Sequence, residues 1–81
     1  MDCRIQFEQR PDGCTVRLAG RLNAAQVPEL RAICAAATGP IRIDLTDLLS
    51  ADAVGIDALR RLRTAGAELT GVARYLIQWL V

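Results

Sequence analysis

Hydrophobic and polar residues alternate at the start of this chain, recur at helical spacing in its middle, then alternate again, and the changes of period mark its elements. In residues 3–9, Ile5 and Phe7 face one way while Arg4, Gln6 and Glu8 face the other. In residues 14–19, Val16 and Leu18 alternate with Thr15 and Arg17. Between them, Arg10-Pro11-Asp12-Gly13 combines a proline that presets φ with a glycine free to take positive φ, which predicts a β-hairpin with one wet face. Gly20-Arg21-Leu22-Asn23 breaks the alternation. Asn23 followed by Gln26 then resembles a helix cap, and because Pro28 fits only a first turn, the regular helix should begin near Ala25. Val27, Leu30, Ile33, Cys34 and Ala37 form its apolar stripe, and Gly39-Pro40 stops it.

Residues 41–45 alternate again, with Ile41, Ile43 and Leu45 against Arg42 and Asp44. A strand that follows a helical crossover should lie parallel to one of the hairpin strands. Ser50 and Asp52 offer side-chain oxygens to a second helix over residues 53–65. Steps of 100° per residue put Gly55, Ala58, Leu59, Leu62 and Gly66 on its buried side, with Val54 and Ile56 on the flanks. Ala53, Asp57 and Arg60 then point to solvent, and Asp57 can pair with Arg61 one turn on. Residues 68–72 read as a short strand, and residues 74–81 as a last helix burying Tyr75, Leu76, Trp79 and Leu80. The order β-β-α-β-α-β-α predicts one α/β domain over residues 1–81, a mixed four-stranded sheet with helices packed on it.

Composition narrows the function more than the fold. Of the 81 residues 52% are hydrophobic but only 4% aromatic, so a modest core of Leu, Ile, Val and Ala is expected. Ten basic residues, all Arg, against nine acidic ones leave a net charge of +1, no general drive toward nucleic acid or an anionic membrane. Cys3, Cys14 and Cys34 have no metal-like or redox spacing and read as small packing residues in a reduced, cytoplasmic protein. No signal-peptide pattern opens the chain, and no apolar run approaches the ~20 residues that span a bilayer. Catalysis has little to stand on: there is no His or Lys, no Ser or Cys beside an evident base, and no Gly-rich phosphate loop. No cofactor or metal is expected, and Asp44, Asp47 and Asp52 read as a solvated acidic edge.

Laid out in this order, the chain resembles the STAS family, the bacterial anti-sigma-factor antagonists and related domains of anion transporters and lipid-transport complexes. Residues 16–22, VRLAGRL, look like the family's second strand ending in a glycine. Residues 43–55, IDLTDLLSADAVG, look like its signature of a strand, a D-L pair, a loop and D-S-S-G opening the second helix. Residues 69–73, LTGVA, resemble the strand before the third helix, and typical members continue further than Val81. The resemblance implies a hydroxyl residue after the motif's Asp that a partner kinase phosphorylates, releasing the complex. Ala53 and Val54 stand at those positions between Asp52 and Gly55, so the usual switch is absent. Asn23 falls where the family commonly has an Asp.

These residues predict a non-catalytic STAS-like interaction module that contacts a protein partner through Leu48, Leu49, Ser50, Asp52, Ala53, Val54, Gly55 and Asp57. The partner implied by the resemblance is an anti-sigma factor or serine-kinase-like regulator. Alternatives are a small accessory subunit gripping the ATPase of an ABC-type lipid-transport complex, or a regulatory domain binding a nucleotide or other anion at the helix N-terminus. Asp52 also reads as a simple N-cap and Gly55 as a close-packing position. The apolar last helix offers a route to a homodimer.

Overall fold

The alternation over residues 3–22 closes into an antiparallel hairpin of β1 (Cys3–Arg10) and β2 (Gly13–Leu22). The computed structural model describes residues 3–80, without the side chains of residues 75, 79 and 80. After the hairpin come α1 (Val27–Ala36), β3 (Ile41–Ala51), α2 (Ala53–Thr64), β4 (Glu68–Thr70) and α3 (Arg74–Leu80). The four strands form one sheet in the order β1-β2-β3-β4. β2 pairs parallel with β3, and β3 with β4, as helical crossovers between them require.

A single face of the sheet is covered. Cys14, Val16 and Leu18 of β2 and Ile43, Leu45 and Leu48 of β3 are buried with Leu30 and Cys34 of α1, Leu59 of α2 and Leu76 of α3 in one cluster. The opposite face is polar and laced with ion pairs between register neighbours, Arg17 with Asp44 and Arg42 with Glu68, each at 3.5 Å. At the hairpin end, the Gln9 amide donates to Thr38 O at 3.0 Å and accepts from Thr38 N at 3.1 Å, tying β1 to the chain leaving α1. The burial expected of Tyr75, Trp79 and Leu80 falls outside the described residues.

Several elements differ from the sequence expectation for identifiable reasons. β3 runs to Ala51 because two register shifts interrupt its alternation without ending it: Arg17 pairs with Asp44 but Ala19 with Asp47, and Gly20 pairs with Leu48 but Arg21 with Ser50. Each shift inserts one extra residue, as in a β-bulge, and the inward phase resumes at Leu48. The Asp44 carboxylate accepts from both the N–H (2.9 Å) and the hydroxyl (2.6 Å) of Thr46, satisfying the backbone at the first bulge. β4 stops at Thr70 for a related reason. Gly71, at φ +67°, passes so close to Thr46 that a Cβ there would lie 2.9 Å from the Thr46 nitrogen.

β2 continues through Gly20 and Arg21 to the buried Leu22. α1 starts at Val27, not near Ala25, because residues 23–26 form a turn in which Asn23 Oδ1 accepts from Ala25 N and Gln26 Oε1 accepts from Asn23 N. Phe7 shares the covered side with Val16 but is 60% exposed, because β1 is an edge strand and the fully buried side chains come mostly from β2 and β3. Gly66 is exposed, since α2 ends at Thr64 and the helical progression no longer applies there.

The hydrogen bonds from Thr46, followed by the nearby Arg17, hold the Asp44 carboxyl below its ordinary range. The unfolded chain therefore takes up that proton first, so this stabilisation is complete above a pH of about 4 and is lost as pH falls through the lowered folded value. Asp44→Ala should lower stability by about 1 kcal/mol at neutral pH. In denaturant titrations the gap between variant and parent should narrow under acid conditions; a gap independent of pH would contradict this role for the carboxylate.

Candidate functional site

The N-terminus of α2 is fixed by one side chain. Asp52, extended at φ −80° and ψ 179°, caps the helix with Oδ1, which accepts from Gly55 N at 2.7 Å. Its other oxygen, Oδ2, accepts from Ala24 N at 3.1 Å, and its own N–H donates to Leu22 O at 3.0 Å. Three segments thus meet at Asp52: the end of β2, the turn before α1, and α2. The turn that carries Asn23 lies directly against this helix end, which the sequence spacing alone does not reveal.

Gly55 makes that meeting possible. It is buried, and a Cβ there would lie 2.9 Å from Leu22 O and 3.1 Å from Leu22 Cγ. Two of the four residues in the stretch 52–55, DAVG, namely Asp52 and Gly55, are therefore engaged by the fold, whereas Ala53 and Val54 between them are exposed, Val54 at 49%. The helical step explains the division: the first two residues of α2 turn outward and the third turns in.

The remaining residues expected at the surface separate into two groups. Leu49 is 69% exposed at the second bulge of β3, and Asp57 is exposed and paired with Arg61 at 2.8 Å. Leu48 is not the surface residue expected: only 3% exposed, its side chain belongs to the core. The expected loop over residues 48–52 is strand as far as Ala51, and Ser50 is half-buried there beside Arg21, leaving Asp52 as the helix cap. Gly55 is likewise inaccessible.

Sequence reasoning missed the neighbouring surface. A shallow groove of about 360 Å³ runs between α1 and α2 from Val54, lined also by Val27, Arg31, Ala58 and Leu62. Val54 sits on a flank of its helix in the 100° projection, a signal that it borders another element, but nothing in the pattern names α1 as that element. The three cysteines are buried thiols, and burial pushes those of Cys3 and Cys34 up, away from the nucleophilic thiolate. What α2 presents is a small apolar contact surface next to a groove whose rim carries Arg31 and the Asp57–Arg61 ion pair.

No protein-family model and no curated protein matches this sequence. Among solved structures, it is similar to an anti-sigma-factor antagonist STAS domain from Rhodobacter sphaeroides, with a TM-score of 0.60 and 23% identity over 83% of this chain and 82% of that one. It is also similar to an uncharacterized DUF3478-family protein with a SpoIIAA-like fold from Shewanella loihica PV-4, with a TM-score of 0.47 and 17% identity over 99% of this chain and 94% of that one. The first match shows a STAS-like fold. No helix among the described residues is long and apolar enough to cross a membrane.

Gly55→Ala should destabilise the protein by about 1–3 kcal/mol through overpacking against Leu22, although alanine is the better helix former. Asp52→Ala should cost about 1–2 kcal/mol through the lost cap. Thermal and denaturant unfolding check both; a Gly55→Ala variant as stable as the parent would show that the approach to β2 is loose.

Proposed function

We propose that this chain is a non-catalytic protein-interaction module of the anti-sigma-factor-antagonist type, docking through the first turn of α2. The observation that carries this reading is the exposure of Ala53 and Val54 on a turn whose flanking residues, Asp52 and Gly55, are committed to the fold. It gains support from the structural likeness to a STAS anti-sigma-factor antagonist. Leu49, exposed just before the helix, extends the apolar surface, and Asp57 supplies a polar margin.

The chemistry of the turn bears on regulation. A hydroxyl in this place could be phosphorylated, adding nearly two negative charges and a tightly held hydration shell to a surface that must dock flush. Methyl and isopropyl groups cannot take a phosphoryl group. Binding through this surface is then constitutive, or governed by modification of the partner, which on this reading is an anti-sigma factor or a serine-kinase-like regulator.

Capture from cell extract with the purified chain as bait, read by mass spectrometry, identifies the partner, and Ala53→Glu tests the surface. A charge forced into the apolar contact should weaken binding roughly tenfold or more, while the exposed position leaves the melting temperature nearly unchanged. Unaltered affinity in a folded Ala53→Glu variant would rule out this face. Recovery of a transport ATPase in place of a sigma-factor regulator would make the chain an accessory subunit using the same surface.

A further inference from the structure

The two edges of the sheet end differently. β4 offers only three residues before Gly71 turns the chain away, whereas β1 runs for eight with β2 as its one strand neighbour among the described residues. Alternate N–H and C=O groups along the outer side of β1 are therefore directed away from the sheet, a ready template for another strand. This long edge also carries Phe7, 60% exposed.

We propose that β1 is a self-association surface, pairing antiparallel with β1 of a second copy of this chain about a two-fold axis at Gln6. The sequence of the strand, CRIQFEQR, is self-complementary in that register. Arg4 lies opposite Glu8 of the second copy, Ile5 opposite Phe7, and Gln6 opposite Gln6. Residues on one face stay on one face: Arg4, Gln6 and Glu8 continue the polar side of the sheet, and Ile5 and Phe7 its helix-covered side. Each opposed charge pair occurs twice by symmetry, and each Phe7 gains an aliphatic neighbour.

Other registers are worse. Centring the axis on Phe7 sets Arg4 against Arg10, centring it on Glu8 sets that carboxylate against its own copy, and centring it on Ile5 leaves Arg4 facing Gln6. The product is an eight-stranded sheet with the helices of both copies on the same side. The contact is small, so the dimer should be weak and reversible. It shares no residue with the α2 surface, so it stands or falls apart from the proposed docking role.

Sedimentation equilibrium on the full chain, with concentration raised to roughly 1 mM to include weak pairing, tests the proposal. The expected result is a mass rising toward twice that of the single chain. Arg4→Glu and Glu8→Arg should each weaken the dimer roughly tenfold or more by opposing like charges. The double variant Arg4→Glu/Glu8→Arg, which exchanges the two signs, should restore it. All three alter exposed side chains. In the unaltered protein, amide exchange along β1 should slow as concentration rises. A monomer throughout, a dimer indifferent to the single reversals, failure of the double variant to recover, or β1 exchange independent of concentration would each overturn the proposal.

Discussion

Asp52 uses both carboxylate oxygens and its own amide to join α2, the turn before α1 and the last residue of β2. Leu22 then lies under the first turn of α2, close enough that any side chain at position 55 would have to push it aside. From that point the helix runs over the sheet with Ala58 and Leu59 buried. Cap and close approach depend on each other: the helix could not come so near without Gly55, and without Asp52 the Gly55 amide would lose its side-chain acceptor.

The same economy divides the DAVG stretch into residues that build and residues that face outward. Helical geometry assigns the roles, because the cap and the third residue of the first turn point toward the sheet end while the two between them point away. Position 53 or 54 can change chemistry with little effect on the fold, whereas Asp52 and Gly55 cannot. The STAS-like fold is built here with Ala53 and Val54 at these two positions, neither of which carries a hydroxyl.

Much of the architecture is legible in the sequence because local chemistry and period agree. The Pro-Asp-Gly turn, the stripe of Val27, Leu30 and Cys34, and the Asp52 cap each carry a short-range signal. What escapes is non-local. The bulges of β3 exist only relative to β2, so period-2 reading ends the strand at Leu45 and turns buried Leu48 into a surface residue. Phe7 alternates correctly yet lies largely uncovered, because alternation gives the face of a strand but not its distance from the edge. At the candidate site, Asp52, Ala53 and Val54 can be read from the motif, while the groove toward Arg31 needs the packing of α1 beside α2.

The second bulge of β3 also bears on how this chain can vary. In an unbroken strand, inserting or deleting one residue reverses inside and outside for everything downstream. Between the pairs Gly20–Leu48 and Arg21–Ser50, β3 spends one residue more than β2, so the strand already contains the slack that such an event would consume. Shortening at Leu49 would return the ladder to regular pairing and leave Leu48 inward and Asp52 at its cap. The segment leading into α2 can therefore lose one residue while the core keeps its register.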